Sequence, residues 1–142
     1  MATGEVATRA ADGSSPSWYP QVLDGPFNTR ELLRIDEALR TADRSTGLTF
    51  SVYVGDLAEP TREEALRLHD RLPDPAHSIL LAVSPNQRQL LIVTGDQARR
   101  RIPDRFCSLA AMSMSSAFGA GNLANGIVEG LRMLVDQAQS AS

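Results

Sequence analysis

The sequence predicts an α/β protein, a three-layer α/β/α sandwich around a small mixed β-sheet. Segments with helical apolar spacing alternate with short apolar runs. Two of these runs are joined by a short turn, which favours antiparallel neighbours. Another pair is joined by a long helical segment, which favours a parallel, right-handed crossover. The expected order is helix, strand, helix, two strands and three helices.

The first helix is predicted to begin near Asn28. Glu31 follows three residues later, as in a capping box, in which each side chain accepts a hydrogen bond from the other residue's backbone. Gly47 suits the left-handed position that ends many helices. Four apolar residues fall on one face of this helix, namely Leu32, Ile35, Leu39 and Ala42.

A strand and a second helix follow. Residues 48–54 alternate between apolar and more polar side chains, which is typical of a strand. Thr61 and Glu64, after Pro60, resemble a second capping box. The helix is expected to direct Ala65 inward and to end before Pro73.

Two further strands are predicted from continuous apolar runs. Residues 79–83 and 90–93 have no polar interruption, which is typical of strands covered on both faces. Residues 84–87 form a turn signal between them, so we expect an antiparallel hairpin.

The C-terminal part is predicted to be helical. Asp96 is expected to cap a short helix that Pro103 ends, and Asp104 to cap the next helix, which runs towards Ala117. The last helix places four apolar residues on one side, namely Leu123, Ile127, Leu131 and Leu134.

The last two helices are rich in small residues. Gly126 and Gly130 lie four residues apart, and residues 110–120 contain mostly Ala, Ser and Gly. Small side chains let helices approach closely, so we favour intimate packing of these helices. The alternative is an adaptable contact surface formed by methionines, which are Met112, Met114 and Met133.

The length of 142 residues and the mass of 15.3 kDa indicate one domain. Residues 1–20 are rich in small residues and Pro, and we expect them to be flexible. The α/β domain is expected over residues 21–138, with a frayed end over 139–142.

Composition excludes several classes of protein. The 14 basic residues are all Arg, and 17 acidic residues give a net charge of -3. This balance argues against a nucleic-acid partner and against a polybasic membrane anchor. No apolar run approaches the length of a transmembrane helix or a secretion signal. The single Cys excludes an internal disulfide, and a cytoplasmic location is expected.

Several segments resemble the TPM-domain family, which includes thylakoid-lumen acid-phosphatase-like and photosystem repair proteins. The similar segments are residues 34–39, 46–47, 50–56, 79–84, 89–95 and 118–131, with residues 22–25 as a match to an early Asp. Residues 99–118 look closer to an actinobacterial branch of unknown function, and the all-Arg composition fits a GC-rich genome.

The resemblance implies an α/β/α sandwich. It also implies, for some relatives, phosphatase activity or calcium binding through acidic loop residues near the sheet edge. Typical members are exported and tethered to a membrane, whereas this sequence shows neither a signal nor an anchor.

Three aspartates are candidate metal ligands. Asp24, Asp56 and Asp96 each lie next to a glycine in a loop, and loop carboxylates are ligands that Ca²⁺ or Mg²⁺ prefers. A cation held there would activate water for phosphoester hydrolysis. The alternative is that Asp beside Gly forms turns and helix caps.

Two other features are candidate sites. Arg99, Arg100 and Arg101 form a possible anion contact, against the alternative of a solvated helix end that suits the helix dipole. Cys107 lies near a helix start and close to Arg105, which favours a reactive thiol. The alternative is that Cys107 is a small buried apolar group.

Three classes of function remain open. We favour a non-catalytic scaffold or interaction domain with an unidentified protein partner, because no convincing catalytic constellation is visible. A divalent-metal-dependent phosphatase is the second class, and a thiol-based sensor is the third. Whether the protein is an enzyme stays open from the sequence.

Overall fold

The structure, a computed structural model, describes residues 27–141, and it begins with a capped helix, α1, over Thr29–Thr46. The backbone N–H of Glu31 donates to Asn28 Oδ1 at 2.8 Å, and that of Asn28 donates to Glu31 Oε1 at 3.0 Å. Gly47 ends the helix with a φ of 78°. The predicted capping box and the glycine stop are therefore both confirmed. The expected flexible segment, residues 1–20, lies outside the described residues.

Three strands form one mixed sheet in the order β1, β2, β3. Their bounds are Thr49–Val54, Ser78–Ser84 and Gln89–Thr94. β1 runs parallel to β2, and β3 runs antiparallel to β2. The parallel pairing predicted for the crossover and the antiparallel pairing predicted for the hairpin are thus both confirmed.

Burial differs sharply between the two strands that the sequence predicts as covered. Every residue of β2 is buried, as expected for the central strand. β3 is only half-buried from Leu90 to Val93, because it is an edge strand of the described sheet. The expectation of a second fully covered strand is therefore wrong.

Helix α2 covers Thr61–Asp70, and a short 3₁₀ helix follows over Pro75–His77. The predicted capping box at Thr61 is wrong, since Thr61 is already helical and Pro60 occupies the cap position without a side-chain bond. The Glu64 carboxylate accepts from Arg67 at 2.7 Å instead.

The C-terminal helices are α3 over Asp96–Arg99, α4 over Asp104–Gly119 and α5 over Leu123–Ser140. Asp96 and Asp104 are the first helical residues and not the caps, which are Gly95 and Pro103 and make no side-chain cap bond. The capping roles predicted for the two aspartates are therefore wrong by one position each.

The helices lie in two layers around the sheet. One face packs against α1, α4 and α5 and contains the larger part of the core. The other face packs against α2 through Leu80 and Ala82 of the central strand and Ala65 of the helix. This arrangement is the predicted α/β sandwich.

Close packing of α4 and α5 explains the glycines of the last helix. A Cβ atom on Gly126 would lie 2.7 Å from Phe118 Cε1, and one on Gly130 would lie 2.6 Å from Met114 Cγ. A side chain at either position would have to displace Phe118 or Met114. The small residues therefore serve helix packing, as favoured from the sequence.

A membrane span requires a helix that is both long and apolar. No helix within residues 27–141 meets both requirements.

Candidate functional site

An open cleft runs along the outer edge of β3. It has a volume of about 250 Å³ and lies between α2 and α4. Leu90, Leu91 and Ile92 form its floor, and Arg62 of α2 forms one wall. The α4 wall consists of four residues one turn apart or adjacent, which are Asp104, Cys107, Ser108 and Ala111.

The register of the hairpin decides which backbone groups face this cleft. Gly95 N–H donates to Ser78 O at 2.9 Å, so these two residues form a hydrogen-bonded pair. From there the register continues with Thr94 opposite Ile79 and Val93 opposite Leu80, and it ends with Gln89 opposite Ser84. Bonded and non-bonded pairs alternate in an antiparallel ladder. The bonded residues of β3 are therefore Val93, Leu91 and Gln89, so the backbone N–H and C=O groups of Leu90 and Ile92 point away from β2.

A contact at the end of β3 agrees with this alternation of residues that face β2 and residues that face away from it. Thr94 belongs to the same outward-facing set, and its carbonyl oxygen accepts a hydrogen bond of 2.8 Å from Arg99 Nη2. Arg99 also lies 3.2 Å from Asp96 Oδ1 and, through Nε, 3.5 Å from Asp104 Oδ1. Within residues 27–141, the outer edge of β3 is thus closed at Thr94, whereas no described group bonds to the outward-facing backbone of Leu90 and Ile92.

Cys107 faces the cleft from α4 but is buried, with 7% of its surface exposed. Burial raises the pKa of its thiol to about 11, the Asp104 carboxylate adds to the rise, and Arg99 opposes it. A thiol with such a pKa is almost fully protonated at neutral pH, so it is a poor nucleophile. These features match the alternative of a small buried group.

Two of the three consecutive arginines contact different parts of the fold. Arg99 is held by the contacts above, and Arg101 Nη1 donates to Thr46 O at 2.8 Å, which ties the loop before α4 to the end of α1. Arg100 is exposed. The run therefore does not form one anion pocket, and at least two of its members serve the fold.

Asp56 and Asp96, the two candidate metal ligands among the described residues, are not brought together. Asp56 follows β1, whereas Asp96 follows β3, which runs in the opposite direction. The strand ends before them differ by four register positions, about 13 Å along the sheet. Asp56 Oδ1 accepts from Asn86 Nδ2 at 3.0 Å, and Asp96 pairs with Arg99. Asp24 lies outside the described residues.

A metal site built by the protein needs several ligating side chains close together. Within residues 27–141, no group of three or more His, Cys, Asp or Glu residues is placed to hold a metal ion. The one buried histidine, among those described, is His69, whose Nε2 lies 2.9 Å from Ser78 O at the opposite face of the sheet from Cys107. His69 therefore anchors α2 to β2.

Sequence reasoning missed the cleft and Arg62. The apolar run 90–93 suggests a covered strand, and nothing in it marks an edge. A usable signal was the chain order, because a strand that ends a hairpin and is followed only by helices has no later strand to pair with.

The comparisons with known proteins place the fold among solved structures. The chain is similar to the BA42 protein from Bizionia argentinensis, with a TM-score of 0.76, 17% identity and coverage of 84% of this chain and 86% of that one. It is also similar to the N-terminal domain of a protein from P. gingivalis, with a TM-score of 0.71, 20% identity and coverage of 80% and 77%. A third similar structure is the N-terminal domain of the cg2496 protein from Corynebacterium glutamicum, with a TM-score of 0.58, 18% identity and coverage of 92% and 86%. These likenesses show the fold.

Sequence relatives come from Mycobacterium tuberculosis. The chain is 36% identical over 109 residues to the uncharacterized protein Rv2468c of strain ATCC 25618 / H37Rv, and equally to the uncharacterized protein MT2543 of strain CDC 1551 / Oshkosh. The match spans 77% of this chain and 65% of the length of each relative. Actinobacterial relatives are thereby confirmed.

The family itself differs from the one predicted. The sequence model that matches, over residues 3–135, is that of a domain of unknown function, DUF5130. The resemblance to the TPM-domain family is therefore corrected, and the phosphatase-like activity that it implied loses its support. The segments that carried the resemblance within residues 27–141 lie in strands, turns and helices of the fold, and residues 22–25 lie outside the described residues. The chain belongs to the DUF5130 family.

Proposed function

We propose that this domain is a non-catalytic protein-interaction module that contacts its partner through the cleft beside β3. The observation that carries the proposal is the open edge, where Leu90 and Ile92 direct backbone N–H and C=O groups into the cleft. Open strand edges are natural templates for pairing with another chain. A domain that exposes one beside a cleft has the chemistry of a binding surface.

The side chains around the cleft support binding more than catalysis. The thiol of Cys107 has a raised pKa, and Asp104 is already paired with Arg99. Met112 lies one turn after Ser108 on the same side of α4, and 70% of its surface is exposed. Methionine is common at adaptable contact surfaces because its side chain is flexible and polarizable.

Site-directed photo-crosslinking in the source organism tests this proposal. A benzophenone amino acid at Ser108, inside the cleft, is expected to give a discrete covalent adduct with a partner protein. The same amino acid at Glu37, exposed on α1, is the matched control and is expected to give none. Equal adducts from both positions, or none from Ser108, contradict the proposal.

A further inference from the structure

We propose that the cleft binds an extended peptide that adds a strand to β3 and that carries an acidic residue between two apolar ones. This inference rests on the proposed interaction function and names the class of partner. The apolar residues lie opposite Leu90 and Ile92, and the acidic residue lies opposite Leu91, where it contacts Arg62.

The backbone of β3 sets the extended conformation of the partner. Leu90 and Ile92 present two N–H and two C=O groups at alternate positions of one strand. Only another extended backbone meets donors and acceptors with this repeat. Arg99 occupies the carbonyl of Thr94, so the accessible part of the edge is the three residues from Leu90 to Ile92.

The faces of the sheet set the order of side chains in the partner. Leu90 and Ile92 face the layer that contains α4, whereas Leu91 faces the layer that contains α2. Successive residues of an added strand alternate in the same way. Two of its side chains therefore contact α4, and the one between them contacts α2.

The α4 side favours apolar side chains of moderate size. Three residues of the wall there, Cys107, Ser108 and Ala111, have short side chains that leave room above the strand, and the fourth, Asp104, is paired with Arg99. Met112 extends the apolar surface at the rim of the cleft. Valine or isoleucine fits this space and also favours the extended backbone.

The α2 side favours an acidic side chain. Arg62 lines the cleft, and among residues 27–141 no carboxylate lies within ion-pair distance of it. An arginine beside a partly enclosed groove selects a carboxylate, with which it forms two parallel hydrogen bonds. Charge complementarity of this kind sets the register of a bound peptide.

The same charge argues against a second copy of this chain as the occupant. A two-fold pairing that uses Leu90 and Ile92 of both copies is centred on Leu91. That symmetry brings Arg62 of one copy next to Arg62 of the other. Like charges across an interface are unfavourable, so a peptide with an acidic residue is preferred.

Nuclear magnetic resonance with a defined peptide tests the proposal. The probe is acetyl-Thr-Thr-Val-Glu-Val-Thr-Thr-amide, added to the ¹⁵N-labelled chain. The amide signals of Leu90 and Ile92 are expected to shift most, together with the side-chain signal of Arg62. A peptide with Lys in place of Glu is expected to bind about tenfold more weakly. A peptide N-methylated at both valines and the glutamate is expected not to bind, because it lacks the strand hydrogen bonds.

A charge-reversal variant provides the sharpest control. Arg62→Glu is expected to reverse the preference, so that the Lys peptide binds more tightly than the Glu peptide. Arg30→Glu makes the same change of charge at an exposed site on α1 and is expected to leave the preference unchanged. Equal binding of both peptides to both variants overturns the acidic assignment.

The outcomes separate this inference from the proposed function. Shifts that avoid Leu90 and Ile92, or no binding of the Glu peptide, overturn strand addition even when Ser108 still crosslinks to a partner. If the amide signal of Leu90 shifts with protein concentration in the absence of peptide, and sedimentation shows a dimer, the occupant of the edge is a second copy of the chain. That result overturns the peptide proposal. If the benzophenone amino acid at Ser108 gives no adduct with a partner protein, the proposed function is overturned as well.

Discussion

Arg99 Nη2 donates a hydrogen bond of 2.8 Å to the backbone carbonyl of Thr94, the last residue of β3. The same guanidinium lies 3.2 Å from Asp96 Oδ1 and 3.5 Å from Asp104 Oδ1. Arg99 therefore joins the end of the edge strand to the starts of α3 and α4. Its role is to close the edge at this point, and its charge is already compensated.

Arg99→Ala is expected to lower the free energy of unfolding by about 1 kcal/mol, the usual net value of a hydrogen bond at a partly exposed site. Urea denaturation monitored by circular dichroism measures this change. Arg100→Ala removes the neighbouring, exposed arginine and is expected to change stability by less than about 0.5 kcal/mol. Equal losses in the two variants contradict the structural role of Arg99.

The contact between α4 and α5 gives a second prediction. Gly126→Ala places a methyl group 2.7 Å from the buried ring of Phe118, which has little room to move. Overpacking destabilises a protein by about 1 to 3 kcal/mol. The better helix propensity of Ala offsets about 1 kcal/mol of this loss. We expect a net loss of up to about 2 kcal/mol in the free energy of unfolding.

Gly119→Ala is the matched control for this prediction. Gly119 is also helical, at the end of α4, and a Cβ atom there meets nothing within 4 Å. Its replacement is expected to be neutral or slightly stabilising. A Gly126→Ala protein as stable as Gly119→Ala shows that the two helices are not closely packed.

Local features of the fold are predictable from the sequence because they depend on near neighbours. The Asn28 and Glu31 capping box and the Gly47 stop each involve residues within one helical turn of each other. The box predicted at Thr61 failed for a local reason too. Pro60 takes the cap position, so Thr61 is already the first helical residue and the helix begins one residue earlier than predicted.

The site depends on long-range pairing and is harder to predict. Asp56 and Asp96 look equivalent because each follows a strand beside a glycine. The antiparallel hairpin, although correctly predicted, reverses β3 and so places Asp96 at the other end of the sheet. The residues around Arg62 in the sequence do not indicate a binding site, since the position of Arg62 beside β3 depends on where α2 packs.

The separation of the two aspartates leads to a prediction on metal binding. Asp56→Asn and Asp96→Asn, combined in one protein, are expected to leave the effect of Ca²⁺ or Mg²⁺ on the melting temperature unchanged. A ligand stabilises the native state only through a site present there, and these carboxylates do not share one. Differential scanning fluorimetry with and without each ion, compared with the wild-type chain, measures this. A metal-dependent shift that both substitutions abolish contradicts the geometry.

Cys107 makes stability depend on pH above pH 9. Its pKa is about 11 in the folded protein, against 9.0 for an unperturbed thiol, because burial disfavours the thiolate. Between these values the folded state keeps a proton that the unfolded state has lost, so stability is fully present below pH 9 and falls as the pH rises towards 11. We expect a loss of about 1 to 2 kcal/mol, reduced from the ideal value because the cleft admits water.

The composition makes this loss easy to isolate. The chain has no Lys and only two Tyr, so few other side chains titrate between pH 9 and pH 11. Urea denaturation at several pH values in this range gives the slope for the wild-type chain, and Cys107→Ala is expected to flatten it. Thiol labelling at pH 8 is expected to be about 100-fold slower in the native protein than in urea, because the thiolate fraction is that much smaller. An equal slope in Cys107→Ala, or fast labelling of the native protein, shows that the thiol is ionised more easily than its burial implies.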